Sequence, residues 1–422
     1  MDATTGADTG ADTGADTGAD TGAGVEFVLD PATLDVHADC ERLRELGPLV
    51  RVEMEGVRAW AATRHATLAA VLAHPDLSRD IAYWDPAGRA AVRDGTAVRR
   101  ITFDTSMLNA EGEEHRRLRG PMARVFNARR VEELRPWVAR LAAERVDHLA
   151  TLPPGPVDLR EEFAYPIPRD VITELMGIPP AMRARVHELT DVAAGVGDTP
   201  VDVTEARKVL YGMVAEIIEG LRRTPGPGLI SALVQEGELT GKELLDTVEL
   251  VFIAGHVTTV NLLTNGARAL LREPAQLALA LGGELAWSAV VEETMRWDSP
   301  IAHFPMRYAV RDLEIEGVRV RKGEAVVACF ASAGRDPERY GARACRFDAV
   351  AEQPGHLSFG HGRHFCLGAP LARLEGEVAL AALFEAFPDM RLAGPDAGTR
   401  PLGSVLGNST RSLPVLLGER HN

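Results

Sequence analysis

The sequence predicts one mainly α-helical domain with small β-sheets, and three observations support that fold class. Apolar residues recur at helical spacing along most of the chain. Short runs of β-forming residues, bounded by glycine turns, occur in only a few places. After Phe27 no linker-like run is long enough to separate two domains, so the 422 residues predict a single folded unit.

Helical spacing is clearest in four segments of the chain. They are residues 130–150, where the apolar positions include Leu134, Val138 and Leu149, and residues 205–222, 241–272 and 367–387. Runs typical of β-strands occupy residues 50–55, 59–63, 313–320 and 325–330. We therefore expect a helical body that carries small sheets.

The N-terminal segment has a different composition from the rest. Residues 6–21 are four tandem copies of Gly-Ala-Asp-Thr, a polar repeat that cannot bury enough apolar surface to offset the entropy cost of ordering. We expect residues 1–26 to be a disordered leader. Residues 27–418 should form the domain, and residues 419–422 a tail.

Composition and charge exclude several classes of protein. Acidic side chains outnumber basic ones by 61 to 46, and a net charge of −15 argues against binding to a phosphate backbone. Four widely spaced cysteines predict neither a disulfide framework nor a zinc site, which fits a reducing cytoplasm. No uninterrupted apolar stretch reaches the roughly 18 residues of a spanning helix, and no export signal begins the chain. We expect a cytoplasmic protein that binds neither nucleic acid nor membrane.

One cysteine lies in a setting suited to a metal. The segment from Phe359 reads Phe-Gly-His-Gly-Arg-His-Phe-Cys-Leu-Gly-Ala-Pro, with glycines that permit tight turns and close approach to a flat ligand. The helical sequence that follows Cys366 offers backbone N–H groups to a negatively charged sulfur. A cysteine taken alone is more often a small buried hydrophobe.

This segment resembles the haem-binding signature of the cytochrome P450 family, Phe-x-x-Gly-x-x-x-Cys-x-Gly, which is met by Phe359, Gly362, Cys366 and Gly368. The resemblance implies the P450 fold, with haem b held between a distal oxygen-activating helix and the cysteine loop. It makes Cys366 the iron ligand and a catalytic residue, because thiolate donation favours O–O cleavage. Phe359 and Gly368 are then cofactor-binding residues.

Other marks of the family occur in the expected order. Glu293 and Arg296 match its Glu-x-x-Arg pair, which is structural, and their spacing places them on one helix face. Without the resemblance, this pair would be taken for a surface ion pair worth under about 1 kcal/mol.

Four cationic residues match family positions that bind the haem propionates. His115 and Arg119 lie four apart on one helix face, and the resemblance adds Arg307 and His364. For His115 and Arg119, the alternative to a propionate site is a basic helix face exposed to solvent.

The electron supply is expected to be external. No flavin or iron–sulfur motif occurs in the sequence, so the resemblance implies electrons from NAD(P)H through a ferredoxin and a ferredoxin reductase. Six arginines between Arg116 and Arg130 form a basic segment that would attract an acidic partner. We expect the enzyme to be a monomer.

The predicted oxygen-activating helix departs from the family pattern. Ala254 is small enough for the helix to pass close to a flat cofactor, and the Thr258 hydroxyl can bond the i−4 carbonyl and bend the helix. The family has an acid before this threonine, but this chain has Val257, which carries no proton. Three explanations fit the missing acid. Water or a substrate hydroxyl supplies the protons past Thr258, another side chain substitutes for the acid, or the enzyme performs chemistry without ordinary oxygen activation. We favour the first. His256 should face away from the iron, so it is a poor substitute for the acid. By family analogy, His303 is the better-placed candidate.

The residues expected to face the substrate are mainly apolar. The resemblance places the substrate-facing segments in residues 77–109, in the oxygen-activating helix around residues 252–258, in residues 301–304 and in residues 404–407. The residues expected to contact the substrate are Phe252, Val257, Ile301, His303, Phe304, Val405 and Leu406. We therefore expect a monooxygenase that hydroxylates, or epoxidises, an apolar natural product such as a polyketide or macrolide. Alternatives are a nitric-oxide reductase-like or peroxide-driven haem-thiolate enzyme, since nitric-oxide-reducing relatives also lack the acid, or a non-enzymatic haem sensor.

Overall fold

Helices dominate the computed structural model, which describes residues 24–194, 203–352, 355–395, 397–398 and 400–421. The Gly-Ala-Asp-Thr repeat, predicted to be disordered, lies outside the described residues. The helices within the described residues are α1 (Val36–Leu46), α2 (His65–Ala73), α3 (Pro86–Ala91), α4 (Ala97–Thr102), α5 (Gly112–Val125), α6 (Ala128–Glu132), α7 (Arg135–Thr151), α8 (Pro166–Met176), α9 (Pro180–Ala194), α10 (Val203–Arg223), α11 (Leu229–Glu236), α12 (Gly241–Arg272), α13 (Pro274–Leu281), α14 (Trp287–Trp297), α15 (Phe330–Gly334), α16 (Pro337–Tyr340) and α17 (Ala369–Ala386).

The predicted helices correspond closely to these elements. The segment predicted over residues 241–272 is α12, residues 205–222 lie within α10, and residues 367–387 contain α17. The segment predicted over residues 130–150 is instead divided between α6 and α7. Pro136 in the first turn of α7 lacks an N–H and has a preset φ, so it suits the start of a new helix.

The strands are short, as predicted. They are β1 (Phe27–Leu29), β2 (Leu49–Met54), β3 (Val57–Ala62), β4 (Leu77–Ser78), β5 (Val157–Asp158), β6 (His303–Ala309), β7 (Leu313–Ile315), β8 (Val318–Val320), β9 (Ala325–Cys329), β10 (Arg391–Leu392) and β11 (Pro414–Leu416). They form a six-stranded sheet in the order β1-β2-β3-β9-β6-β4, a three-stranded sheet β10-β11-β5 and the pair β7-β8. The predicted fold class, mainly α with small sheets, is confirmed.

Two hairpins have the same turn chemistry. Glu55 and Gly56 between β2 and β3 have φ of 52° and 89°, and Glu316 and Gly317 between β7 and β8 have φ of 49° and 76°. Two left-handed residues in succession form the turn whose twist matches that of the flanking strands. Glycine at the second position relieves the strain that a Cβ would add.

The longest helix, α12, runs through the hydrophobic core. It begins with a capping box, in which Thr240 and Glu243 each bond the other's backbone N–H. Among the described helices, α12 is long and apolar enough to pass a length and composition test for crossing a membrane, but 67% of its most apolar window is buried inside the structure. We therefore identify α12 as a core helix, packed against α8, α10, α14 and α17.

Candidate active site

A cavity of about 830 Å³ lies between α12, one face of the six-stranded sheet and the cysteine loop, residues 359–368. Ala254 and Thr258 contribute to its wall from α12, Ala328 from β9, and Cys366 from the loop. Most of the other lining residues are apolar. Residues that are far apart in the sequence therefore meet around one space, large enough for a cofactor and a small molecule together.

Left-handed glycines and one backbone hydrogen bond shape the cysteine loop. Gly360 and Gly362 have φ of 77° and 73°, which only glycine adopts without strain. The Cys366 N–H donates to the Phe359 carbonyl at 2.7 Å, which closes the loop. Gly368 has a φ of −80° and precedes the first residue of α17. A Cβ at Gly368 would lie 4.0 Å from Cys366 Sγ, in ordinary van der Waals contact with the sulfur.

Opposing effects act on the Cys366 thiol. Burial is the largest effect and raises the pKa overall, whereas the backbone N–H groups of Gly368 and Ala369 and the guanidinium groups of Arg119 and Arg373 lower it in part. These donors and charges surround the sulfur at the N-terminus of α17, where they favour a negative charge. The loop thus suits a thiolate that binds a metal cation.

Arg119, Arg307 and His364 line one rim of the cavity close to the loop, and His115 lies next to His364 without lining the cavity itself. Arg119 donates to the Phe365 carbonyl at 2.6 Å, and the His115 and His364 rings lie 4.4 Å apart. His115 Nε2 is buried without a hydrogen-bond partner among the described residues. Arg307 is buried, and within the described part of the chain its guanidinium donates to the Leu72 carbonyl alone, at 3.4 Å. Burial lowers its pKa to about 9. Under-satisfied buried donors beside a thiol fit a flat cofactor with carboxylates, as the haem predicted from the sequence would require.

The structure adds Arg79 to this rim, which the sequence analysis missed. Arg79 follows β4, which pairs with β6 so that Ser78 lies opposite Tyr308, and it lines the cavity. It is buried and donates to the carbonyls of Leu108, at 2.6 Å, and Pro305, at 3.2 Å. No local sequence signal marks it, because its position depends on pairing between strands more than 200 residues apart.

Glu111 was also missed, and it organises the rim from outside the cavity. It accepts the Arg79 backbone N–H at 2.9 Å and lies 3.2 Å from His364 Nε2. Burial lowers the pKa of His364 to about 4, and the Glu111 carboxylate opposes this shift. This contact orients the His364 ring.

A bulge in β6 aims two predicted residues into the same cavity. Phe304 pairs with Ala328 and Arg307 with Val326, so three steps along β6 match two along β9. Strict alternation would place Phe304 and Arg307 on opposite faces of the sheet, but the extra residue brings both to the cavity. One strand therefore supplies both a cationic group and an apolar wall.

The wall formed by α12 has the predicted threonine geometry, and the residue directly before the threonine is not an acid. Thr258 Oγ1 donates to the Ala254 carbonyl at 2.7 Å, the i−4 bond expected from the sequence. Val257 lines the cavity beside Thr258, so the valine occupies the wall at the position where the family has an acid. His256 packs against Tyr165, with ring centroids 4.7 Å apart, and is not among the lining residues.

Ile301, Phe304 and Leu406 line the cavity as expected, but three residues predicted to face the substrate do not. Phe252 is buried in the helical core, because two residues along α12 rotate a side chain by roughly 200° from Ala254. His303 and Val405 precede Phe304 and Leu406, and both line a separate pocket of about 10 Å³. For His303 the reason is strand alternation, since it pairs with Cys329 on the opposite face of the sheet.

Glu293 and Arg296 form a buried ion pair and are not a surface pair. Both are 1% exposed or less, and two nitrogens of Arg296 donate to the two carboxylate oxygens at 2.6 and 2.7 Å. Arg296 also donates to the carbonyls of Gly334 and Ala344, and Glu293 accepts the Asp348 N–H at 2.7 Å. The pair thus fastens α14 to the chain that precedes the cysteine loop.

Polar residues at the far end of the cavity were also absent from the predicted site. Arg100, Asp104 and Asp246 line it there. Asp246 accepts hydrogen bonds from Tyr211, Thr105 and Lys242, with Lys242 Nζ at 2.6 Å, so its charge is compensated by protein groups. The sequence offers one signal for this polar region, which is the acid Asp246 at a position of α12 that faces the cavity.

Comparisons with known proteins agree with this site. A cytochrome P450 family model matches residues 287–390, which include Glu293, Arg296 and Cys366. The 2-hydroxy-5-methyl-1-naphthoate 7-hydroxylase of Streptomyces carzinostaticus is 36% identical over 407 residues, which cover 93% of this chain and 97% of the relative.

Solved structures show the same similarity along nearly the whole chain. CYP154C4 from Streptomyces sp. W2061 is 38% identical with a TM-score of 0.88, covering 94% of this chain and 98% of that one. The tirandamycin C-bound P450 monooxygenase TamI is 36% identical with a TM-score of 0.83, covering 93% and 100%. Together with the cysteine loop and the buried Glu293–Arg296 pair, these similarities show that the chain belongs to the cytochrome P450 family.

Proposed function

We propose that this chain hydroxylates, or epoxidises, an apolar natural product such as a polyketide or macrolide, using dioxygen and electrons delivered by a separate ferredoxin. The observation that carries this proposal is the large, mainly apolar cavity with Cys366 in one wall and Thr258 in another. One relative is named as the hydroxylase of a naphthoate, and TamI is a monooxygenase bound to tirandamycin C. Both names support oxidation of natural-product scaffolds.

The family's cofactor is haem b, and its electrons come from NAD(P)H through redox partners. When bound, haem supplies an iron that binds and reduces dioxygen, and a thiolate ligand favours cleavage of the O–O bond. In our proposal Cys366 is that ligand, while Phe359 and Gly368 shape the loop around it. Ala254 provides a small side chain where α12 passes the cofactor.

The cationic rim would hold the two propionates of the cofactor. We assign this role to His115, Arg119, Arg307 and His364, and we add Arg79 because it is a buried cation at the same rim. Charge-assisted hydrogen bonds to carboxylates would satisfy the donors that the protein leaves under-used, above all His115 Nε2.

The substrate would contact the apolar part of the wall. Val257, Ile301, Phe304 and Leu406 are exposed to the cavity and would exclude water from the reacting atoms. Thr258 would present its hydroxyl oxygen to the oxygen-binding space, since its proton is already donated to the Ala254 carbonyl. Phe252, His303 and Val405 would act only by supporting this wall.

Residues 27–418 would be one catalytic domain of a cytoplasmic monomer, with residues 419–422 as a tail and the N-terminal 26 residues as a leader. A ferredoxin reductase would supply the ferredoxin. The charge balance of the chain supports the absence of a nucleic-acid partner.

A substrate-induced spin-state shift tests the substrate class. The holoenzyme would be titrated with a panel of polyketides, macrolides and small aromatic acids, and turnover of the binders would follow with a ferredoxin and its reductase. We expect a shift and an oxygenated product with at least one polyketide or macrolide. Binding confined to small aromatic acids would contradict the substrate class. Consumption of nitric oxide, or peroxide-driven turnover without ferredoxin-driven turnover, would contradict the reaction.

A further inference from the structure

One buried cation in the cavity wall has no role in the site described so far. Arg160 lies between β5 and α8, is 7% exposed and lines the cavity. Within the described part of the chain its side chain bonds only neutral oxygens and forms no ion pair. Arginine is rarely buried without a counter-charge, because removing a charge from water is costly. The presence of Arg160 in this wall therefore calls for a physical reason.

The neutral oxygens fix the direction of the Arg160 guanidinium. Nη1 donates to Thr264 Oγ1 and Ser409 Oγ, both at 3.2 Å, and Nη2 donates to Asn261 Oδ1 at 3.0 Å. These bonds use three of the five N–H donors of an arginine side chain. Nε has no acceptor among the described residues, and it is not one of their fully enclosed polar atoms that lack a partner. Nε and one N–H of Nη2 are thus available to a ligand in the cavity.

Two carboxylates flank Arg160 in the sequence, but neither pairs with its guanidinium. Asp158 accepts the backbone N–H groups of Arg160, at 3.0 Å, and of Leu413, at 2.8 Å. Glu161 is exposed. Burial lowers the pKa of Arg160 to about 10, although Asp158 and Glu161 oppose this shift. The guanidinium is therefore still a cation at neutral pH.

The contact with Asn261 places the guanidinium beside the substrate wall. Asn261 follows Val257 by four residues, so the two side chains share one face of α12. Asn261 Nδ2 donates to the carbonyl of Pro300, at 3.1 Å, and Pro300 lines the cavity. A Cβ on Gly407, another lining residue, would lie 3.3 Å from the same Nδ2. Arg160 thus reaches the corner where these three segments meet, one helical turn beyond Val257.

The cavity wall at this corner supplies no negative charge. Val257, Ile301 and Leu406 are the neighbouring lining residues of the three segments, and all are apolar. A charge in apolar surroundings attracts an opposite charge more strongly than it does in water. A carboxylate can accept two parallel N–H bonds from a guanidinium, which matches the donors that Arg160 leaves unused.

We propose that Arg160 binds a carboxylate of the substrate, so that the substrate is an apolar polyketide acid and not a neutral macrolide lactone. The guanidinium holds the charged end of the molecule beside α12, while the apolar remainder packs against Phe304 and Leu406. This inference rests on the proposed monooxygenase function and narrows its substrate class.

Matched acids and esters test the charge preference of the wild-type holoenzyme. One pair is the open-chain acid of a macrolide and the methyl ester of that acid, and the other is 1-naphthoate and methyl 1-naphthoate. Spin-state titration at neutral pH gives the dissociation constants. We expect each acid to bind about tenfold more tightly than its ester, as one charge-assisted contact supports. Equal binding of acid and ester, or failure of both acids to bind, would overturn the proposal.

Two substitutions assign this preference to Arg160. Arg160→Gln keeps hydrogen-bond donors but removes the charge, so the acid should bind about tenfold more weakly while the ester binds as before. Arg160→Lys keeps the charge and should still prefer the acid. The matched control is Arg169→Gln on α8, since Arg169 pairs with Asp170 and does not line the cavity, and it should change neither constant. A preference that persists in Arg160→Gln would overturn the assignment.

The outcomes separate this inference from the proposed function. If a neutral macrolide is oxidised and no acid is preferred, the monooxygenase stands and the carboxylate site is overturned. If no polyketide or macrolide binds, the proposed substrate class fails, and the naphthoate pair still decides whether Arg160 binds a carboxylate. Haem loading of each variant is verified by the ferrous-CO spectrum. If Arg160→Gln does not load haem, the wild-type ratio and Arg160→Lys decide.

Discussion

The two sides of the cavity are built in opposite ways. On the proximal side, which comprises the cysteine loop and the Glu293–Arg296 pair, buried polar groups have partners: the Cys366 N–H bonds the Phe359 carbonyl, and Arg296 bonds Glu293 and several carbonyls. On the distal side, formed by α12 and β6, the wall is mainly apolar and has Val257 at the position where an acid is expected. The proximal side is thus held by hydrogen bonds between protein groups, whereas the distal side offers a mainly apolar wall to the cavity.

The largest effect is expected at the proximal sulfur. Cys366→Ala removes the one cysteine side chain that lines the cavity among the described residues, so the ferrous-CO band for which the family is named should disappear and ferredoxin-driven turnover should be lost. Cys345→Ala, which changes an exposed cysteine, is the control and should alter neither. Persistence of the band in Cys366→Ala would contradict the assigned ligand.

The buried proximal ion pair should dominate stability. Glu293→Gln leaves the Arg296 guanidinium buried without its counter-charge, so the free energy of unfolding should fall by about 3–5 kcal/mol. Denaturant unfolding of the holoenzyme, followed by the ferrous-CO band, measures this loss. Glu132→Gln breaks a pair of the same spacing on the surface and should produce no comparable change. Equal effects of the two substitutions would contradict the difference between the two environments.

Neighbouring residues of β6 should differ in their effect on binding. Phe304 faces the cavity and His303 faces away, so Phe304→Ala should weaken binding of a panel compound by about tenfold, in line with the loss of a buried aromatic contact. Spin-state titration gives the dissociation constants. His303→Gln should change them less than Phe304→Ala, and the reverse order would show that the two faces of β6 are wrongly assigned.

The face of α12 turned away from the cavity should make the protein sensitive to acid. Burial lowers the pKa of His256 to about 3, so between the ordinary pKa of 6.5 and that value the unfolded chain binds a proton that the folded chain does not. The contribution of neutral His256 to the free energy of unfolding is fully present above pH 6.5. It declines as the pH falls, and about 2 kcal/mol of it is lost at pH 5. Denaturant unfolding at pH 7.5 and pH 5 should show a smaller decline for His256→Gln. An identical decline would contradict a neutral His256.

Local patterns predicted the elements and the proximal site well. The periodicity of residues 241–272 coincides with α12, and the glycines around Cys366 predicted a tight loop, because both signals are contained in adjacent residues. The i, i+3 spacing of Glu293 and Arg296 predicted a shared helix face, although not their burial, which depends on the segment around Gly334 and Ala344.

The distal wall was predicted less completely, because its residues depend on contacts between distant segments. Phe252 belongs to the right helix but to the wrong face, and an apolar residue in a largely buried helix gives no sign of which face meets a cavity. His303 lies one residue from Phe304 on the other side of the sheet. Arg79 lines the cavity because β4 pairs with β6, and this pairing has no local sequence signal.

The bulge in β6 has a consequence for redesign of the enzyme. Phe304 and Arg307 reach one face of the sheet only because the strand contains one extra residue between their partners on β9. Side-chain libraries at Ile301 and Phe304 would therefore change substrate selectivity while Arg307 keeps its direction. If the bulge were lost without a change of chain length, Phe304 and Arg307, which are three residues apart, would fall on opposite faces of the sheet, so that the cavity would lose either an apolar wall or the cationic contact that we propose for the cofactor.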